Sequence, residues 1–434
     1  MIMNRTVDIA LHYVTRIEGH GNIYVKAKNG TVEKCEWNIP EAPRFFEAMV
    51  MGRKWNELHH ITSRICGICS IGHTLASLKA TEAAMDIPIN EQDLNLRKLA
   101  LHAENMQSHM LHLGYLVLPD LLGAGSIIPL TESHPDEIKT VIRLHRLANH
   151  MSDIVCGRTT HPQRLLPGGF SKIPTTDELK TLKKKLHDSQ ADLNTLVNLF
   201  QQLVQKFPDF WRETEFIALT SPDEYALYDG VISSTDTESA PVTEYLSFTN
   251  EYIVPTSTAK QTKHVRDSCM VGALARFNKN YEKLLPRAKE VAALFDLNPV
   301  CHNPFMNNIA QLVEIVHSVE DSIRLISLIE DSGLEPLPEY NRPEIQVKAG
   351  RGVGAVEVPR GILFHDYTYN EEGVCTTANC VIPTNQNHGN IQRDLEAFVP
   401  QLLGKPQKEI ELAIEMLVRA YDPCISCSTH YLEV

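Results

Sequence analysis

Apolar and polar positions change period along this chain, and the changes mark its elements. Near the N-terminus they alternate. Ile23-Tyr24-Val25-Lys26-Ala27-Lys28 runs into Asn29-Gly30 and then Thr31-Val32-Glu33-Lys34-Cys35. Period two on both sides of Asn-Gly predicts a β-hairpin with a tight turn. Ahead of it, Arg16-Ile17-Glu18-Gly19-His20 reads as a charged turn with a glycine. From Gly72 to Ala84 the chain is rich in Ala, Leu and Lys and reads as helix. Asn90 is placed to cap a further helix running to about Leu118, with Leu94, Leu101 and Leu111 among its apolar positions. His102, His109 and His112 lie near one face of it, and hydrogen-bonded packing is their simplest role. Thr175 and Glu178 are spaced as a capping box. They open a long helix with Leu179, Leu182, Leu186, Leu193, Leu196 and Leu203 at helical spacing, and its Lys183-Lys184-Lys185 reads as a solvated face.

Residues 210–260 carry Gly, Ser, Thr and Pro in mixed patterns and read as strands and loops. Helices follow near 265–295 and 305–332. Gly350-Arg351-Gly352-Val353-Gly354 is glycine-rich, but no Lys-Ser/Thr ends it, which argues against a phosphate loop. Val381-Ile382-Pro383-Thr384 reads as a short buried strand or turn, and a last helix of about 407–421 stops near Pro423. Together these elements predict an α+β fold dominated by helix. A central bundle of long helices would lie beside a β-containing region at 1–60. The expected division continues with a helical core at 61–210, a mixed insertion at 211–265, a second helical part at 266–340 and a mixed C-terminal region at 341–434.

Composition narrows the class. The chain has 434 residues, 43% of them hydrophobic and 22% charged, enough for a large core. A net charge of -13 argues against nucleic acid as a partner. No stretch approaches the roughly 18 uninterrupted apolar residues of a membrane span, and Met1-Ile2-Met3-Asn4-Arg5 has no apolar signal core. A cytoplasmic protein with no membrane partner is expected. In such a chain ten cysteines point to metal ligands and buried thiols rather than disulfides. Cys35, Cys156, Cys269, Cys301, Cys375 and Cys380 stand outside any cluster and read as small buried hydrophobes.

The other four cysteines carry the chemistry. They form two pairs, Cys66-Gly67-Ile68-Cys69 and Cys424-Ile425-Ser426-Cys427, at opposite ends of the chain. Two-residue spacing lets both sulfurs of a turn face one metal, and soft thiolates suit zinc, iron, nickel or copper. A structural zinc site usually gathers its pairs within tens of residues, to staple a small domain. A large domain with its own core needs no such staple. Four thiolates around one divalent ion also leave negative charge uncompensated, which a second metal or arginines such as Arg16, Arg64 and Arg360 would offset. A functional metal site therefore reads better than zinc.

Arg64-Ile65-Cys66-Gly67-Ile68-Cys69 with Asp422-Pro423-Cys424-Ile425-Ser426-Cys427-Ser428-Thr429-His430 resembles the large, catalytic subunit of [NiFe]-hydrogenases. The likeness extends over nearly the whole chain, through Arg16–His20, Pro43-Arg44-Phe45-Phe46-Glu47, His161-Pro162, Pro167-Gly168-Gly169, Asn303-Pro304-Phe305, Pro359-Arg360-Gly361 and Pro383-Thr384. Within that family it is most similar to the cytoplasmic, cofactor-coupled branch, NAD(P)-linked or sulfhydrogenase α-like. The resemblance implies reversible heterolytic cleavage of H2 at a nickel–iron site whose iron carries CO and two cyanides. It implies Cys66 and Cys424 as terminal nickel ligands, and Cys69 and Cys427 as bridges to iron. Glu18 would relay protons, and Arg360 would overhang the open metal position with Asp120, Pro359 and Asp422 around it. Thr384 would hydrogen-bond a cyanide. Glu47, the carbonyl of Cys380 and the imidazole of His430 would hold magnesium. With a reference pKa of about 4.3, a carboxyl such as Glu18 would need burial to raise it for efficient shuttling.

No iron–sulfur cluster or flavin is expected in this chain. Electrons would pass to an iron–sulfur small subunit, and through flavin- and NAD(P)-binding subunits to NAD(P) or ferredoxin. The tail Tyr431-Leu432-Glu433-Val434 is expected to be removable, as in much of that family. The competing readings are a relative that kept the fold without the metal, like the quinone-site subunit of respiratory complex I, and a zinc-stapled non-catalytic subunit.

Overall fold

The computed structural model describes residues 6–335 and 340–430; Met1–Arg5 and the Tyr431–Val434 tail, with the expectations placed on them, lie outside the described residues. The predicted hairpin is present. Asn22–Lys28 pairs antiparallel with Thr31–Asn38, and Thr6–Leu11 adds to its free edge. Asn29 (φ 54°) and Gly30 (φ 81°) both take the left-handed conformation that a two-residue turn requires. The alternation puts Val7, Ile9, Ile23, Val25 and Trp37 inside.

The core is a bundle of long helices. Glu91–Leu111 packs against both Pro135–Cys156 and Asn307–Ser332. Asn90 caps the first of these, its side chain accepting from Asp93 N at 2.7 Å. The expected helix to about Leu118 is continuous in path but not in hydrogen bonding. A π-helical turn, His112–Val117, follows Leu111 and leads into Leu118–Leu121, with Pro119 in its first turn. The three histidines all meet the Asn307–Ser332 helix. His102 reaches Ser318 and Asp321, His109 reaches Glu314, and His112 reaches Gln311.

The capping box is also present. Glu178 N donates to Thr175 Oγ1 at 3.2 Å, and Thr175 N donates to Glu178 Oε2 at 2.7 Å. The long helix it opens is broken in two, Thr176–Asp188 and Gln190–Leu203. Ser189 makes the break. Its hydroxyl turns back to Leu186 O at 2.8 Å, a local bond that competes with helix continuation. The stretch near 265–295 likewise divides, into Ala273–Asn280 and Pro286–Leu294. Among the described residues, two long helices escape the sequence pattern altogether. Pro135–Cys156 is one, and Pro383–Leu402, which begins inside the supposed short strand, is the other.

The glycine-rich stretch is a strand, not a loop. Gly350–Val358, Gly361–Tyr369 and Cys375–Val381 form an antiparallel meander. Gly350, Gly352 and Gly354 alternate, so they share one face. A Cβ on any of them would stand 2.1 Å from a helix carbonyl oxygen, that of Ala84, Ala80 or Ala76 respectively. The helix Ser70–Met85 thus lies backbone against backbone on the strand. Gly354→Val should destabilise the chain by at least about 2 kcal/mol, because backbone cannot move aside for the new side chain. Chemical denaturation of the variant beside the parent checks it; equal midpoints would mean the contact is looser than described.

Candidate metal centre

The two cysteine turns meet. Cys66 Sγ lies 3.4 Å from Cys424 Sγ, and Cys424 Sγ lies 2.9 Å from Cys427 Sγ. The sulfurs of Cys66, Cys424 and Cys427 all fall within 4.8 Å of one another. Cys69 completes the ring from the start of the Ser70–Met85 helix, its N–H donating to Cys66 Sγ at 3.1 Å. All four side chains are buried.

Each turn is pinned by groups far away in sequence. Glu18 pairs with the second turn as a strand would. Its carbonyl accepts from Ile425 N at 3.0 Å, its carboxylate accepts from Ser426 N at 3.2 Å, and the Ser426 hydroxyl donates to it as well. Gly19 makes this approach possible. It has φ 83°, and a Cβ there would stand 2.7 Å from Ile425 Cβ. Arg44 ties the two turns to each other, donating to Ile65 O at 2.7 Å and to Ser426 O at 3.2 Å. Glu104 holds the other side of the first turn, accepting from Ile71 N at 2.7 Å and Gly72 N at 3.1 Å. This carboxylate sits at the N-terminus of the helix, yet burial pushes its pKa up to about 8. Neither Arg44 nor Glu104 was singled out as a site residue from the sequence. Arg44 stood within a matching segment, and Glu104 shows no signal beyond being an acid in an apolar-faced helix.

Arg360 is the one cation on the sulfurs among the described residues. Its Nη1 lies 3.4 Å from Cys69 Sγ and 3.1 Å from Ser108 Oγ; its Nε donates to Asp422 O at 2.6 Å and its Nη2 to Asp422 Oδ1 at 2.8 Å. Burial opposes its charge, but Asp422 and the cysteine sulfurs outweigh that and keep it protonated. Asp120, expected around Arg360, makes its own ion pairs with other arginines. Its carboxylate is taken by Arg16 and, at 2.7 Å, by Arg419. Ser108, which was not anticipated, fills the place beside the guanidinium. Arg16 is spent on Asp120 and Leu116 O, and Arg64 is exposed, so neither offsets the sulfur charge by contact. Pro359 contributes backbone, its carbonyl accepting from Arg276 at 3.0 Å. Thr384 Oγ1 accepts from Cys424 N at 3.1 Å, which leaves its own proton to give.

The four thiols do not share charge evenly. Cys66 is pulled well below the ordinary thiol range, first by its hydrogen bond with Cys424. Cys69 is pushed well above it, first by its bond to Cys66. Cys424 is pushed up first by its bond to Cys427, and Cys427 first by burial. One thiolate in this dry pocket opposes a second, and a cation placed among them would reverse that.

Glu47 and His430 form a second group beside the first. Glu47 lies in the short helix Phe46–Val50, and its carboxylate meets His430 Nδ1 at 2.8 and 2.9 Å. Arg44 N donates to Thr429 O, which lays the last described residues along this segment. His430 Nε2 is buried and has no partner. Burial would raise Glu47, but His430 and, more distantly, Lys260 outweigh it and hold its pKa low. Cys380 is the last residue but one of the Cys375–Val381 strand; burial and then Glu47 push its thiol well up.

A model of the nickel-dependent hydrogenase family matches residues 44–128 and 263–430, more than half of the chain. The chain belongs to the nickel-dependent hydrogenase family. A HoxL-like model matches residues 8–42 of this hydrogenase as well. Sulfhydrogenase 1 subunit alpha of Pyrococcus furiosus is 32% identical, over 99% of this chain and 100% of the relative. The NAD-reducing hydrogenase HoxS subunit beta of Cupriavidus necator is 28% identical, over 96% and 94%. The crystal structure of an NAD+-reducing [NiFe]-hydrogenase in the H2-reduced state superposes with a TM-score of 0.85 at 26% identity, covering 98% of this chain and 100% of that one. The helix-dominated α+β fold is therefore that of a hydrogenase large subunit, and the protein is an oxidoreductase acting on H2.

The family implies nickel and iron, and the residues present fit them: four converging soft sulfurs in a dry pocket, flanked by a guanidinium and a hydroxyl with a proton to give. The orphaned His430 Nε2 next to a carboxylate fits a further cation. Among the described residues no helix is long and apolar enough to cross a membrane.

Glu47→Gln should be destabilising with a pH signature. Because the folded pKa of Glu47 is lowered, its contribution is full above the unfolded value near 4.5 and is lost as pH falls through the folded value. The gap in stability between variant and parent should therefore be full above the unfolded value near 4.5 and narrow as pH falls below it. Denaturation curves across that range check it, and a gap that widens on acidification would contradict the pairing.

Proposed function

We propose that Cys66, Cys69, Cys424 and Cys427 of the two turns would hold a nickel–iron centre whose iron carries CO and two cyanides. The convergence of sulfurs from opposite ends of the chain carries this reading. Bound there, the centre supplies an electron-accepting Lewis acid and the redox change for splitting H2. The chain's own residues handle the proton and the solvent. Glu18 stands at the Cys424–Cys427 turn and takes the proton from the cysteine side. Glu41, raised first by burial and then by the charge of Glu18, accepts from the backbone N–H of the exposed His20 at 3.1 Å. Arg360, aimed at Cys69 and locked on Asp422, presents fixed donors where water is excluded. The Thr384 proton serves a cyanide nitrogen. Glu47, the Cys380 carbonyl and His430 hold magnesium, which ties the C-terminal segment down.

Electrons leave to an iron–sulfur small subunit and on to a soluble carrier, NAD(P) or ferredoxin, in a cytoplasmic complex with flavin-binding subunits. The likeness to a sulfhydrogenase and to an NAD-reducing hydrogenase supports that branch.

Infrared spectroscopy of the purified complex tests the centre. One CO band and two cyanide bands that shift under H2 are expected. A silent window with zinc bound would replace this reading with the structural one. Glu18→Gln should then slow H2/D2O exchange by about 10²–10⁴-fold with the same infrared bands and nickel content; unchanged exchange would remove Glu18 from the proton path.

A further inference from the structure

Behind Arg360 lies a second arginine that touches none of the sulfurs. Arg276, in the Ala273–Asn280 helix, is fully buried. A guanidinium has five N–H donors, and all five of Arg276 are used. Nε and Nη2 grip the Glu314 carboxylate at 2.6 Å each, and Nη1 meets Glu357 at 3.0 Å. The remaining two go to consecutive backbone carbonyls, Val358 O at 2.8 Å and Pro359 O at 3.0 Å. Those carbonyls belong to the two residues just before Arg360.

The strap 357–360 is held from its other sides as well. Glu357 N donates to Leu227 O at 2.8 Å, and its carboxylate accepts from Leu219 N at 2.8 Å. Gly272 passes so close that a Cβ on it would stand 3.2 Å from Arg360 O. Glu314 is itself fixed by His109 Nε2 at 2.7 Å and by the Tyr225 hydroxyl at 2.6 Å. Burial works against both carboxylates. Arg276 and His109 outweigh it at Glu314, which is held low, whereas Glu357 remains raised, to about 7.

We infer that Arg276 is a positioning residue: its planar fork clamps the carbonyls of Val358 and Pro359 and so sets the Arg360 guanidinium against Cys69. The inference rests on the proposed role of Arg360. An ammonium offers three donors without the planar fork, and cannot meet two carboxylates and two carbonyls in this geometry. Arg276→Lys keeps the charge and loses the clamp.

The test is a double-mutant cycle on the purified complex, with rates normalised to nickel content. Arg360→Lys alone probes the underlying reading; if it leaves H2/D2O exchange unchanged, Arg360 has no role there and the clamp falls with it. If it slows exchange, Arg276→Lys should slow exchange by about tenfold or more, and the double variant should be no slower than Arg360→Lys within about twofold. Slowing that multiplies across the two sites would make Arg276 merely structural and overturn the inference. A second readout does not depend on turnover. Amide hydrogen exchange across residues 357–361 should quicken in Arg276→Lys, and unchanged protection would equally overturn the clamp. Should Arg276→Lys fail to assemble, Glu357→Gln removes one anchor of the same strap and is put through the same cycle with the same two outcomes.

Discussion

Four cysteine sulfurs in one dry pocket set the terms for the rest of the molecule. Two full negative charges at about 4 Å repel by roughly 4 kcal/mol even at an effective dielectric near 20, and Cys66 and Cys424 stand 3.4 Å apart. The pocket avoids this by holding Cys66 below and Cys424 above the ordinary thiol range, and the surrounding chain turns donors toward the sulfurs. Arg360 supplies the one full positive charge in contact. The backbone N–H of Cys69 points at Cys66, and the N–H groups of Ile71 and Gly72 are engaged by Glu104 rather than left loose. The carboxylates nearest the sulfurs are all committed, Asp422 to Arg360 and Glu18 to Ser426. A metal carrying positive charge is the natural completion of such an arrangement.

The same constraint explains why distant segments converge here. The two turns share no local structure, so only tertiary contacts can hold them in register. Arg44 does so with one guanidinium spanning carbonyls of both turns. The Glu18 segment adds strand-like pairing to one of them, and Thr384 accepts from the first residue of the same turn. Every one of these bonds ends on backbone. The Ser426 hydroxyl, between Cys424 and Cys427, adds a side-chain bond to Glu18.

Much of this was legible from residues alone, and the reasons differ by element. The Asn29-Gly30 hairpin, the Asn90 cap and the Thr175/Glu178 box were readable because their signals are local and each names its own geometry. The cysteine motifs were readable because metal ligation needs those residue types at that spacing. The helix Pro383–Leu402 was not, since much of its first half is polar residues buried in hydrogen bonds, such as Asn385 to Ser428 O and Asn390 to Tyr421, and these break the apolar period. Ser108 beside Arg360 went unread for a related reason. An acid in a matching stretch draws attention, while Ser108 carries no signal, yet Asp120 is claimed by two other arginines and Ser108 stands at the guanidinium. The glycine-rich stretch was not readable as a strand, because a run of glycines reports only that something comes close, not what.

What comes close there is the helix that carries the first cysteine turn, and this links the fold to the site. Ser70–Met85 begins immediately after Cys69, and Gly350–Val358 leads directly to Pro359 and Arg360. Where the two elements touch, at Gly350, Gly352 and Gly354, there is backbone on both sides and no side chain able to flex. At the end nearer the site, Gly72 meets Val358, where a Cβ would stand 2.1 Å from Val358 Cγ1. The 3.4 Å between Arg360 and Cys69 is thus the end of a rigid chain of contacts rather than the choice of two free side chains. Close-packed backbone of this kind transmits displacement instead of absorbing it. A site that must keep a guanidinium within reach of a sulfur, without letting it bind as a fixed ligand, needs that stiffness more than it needs any single strong interaction.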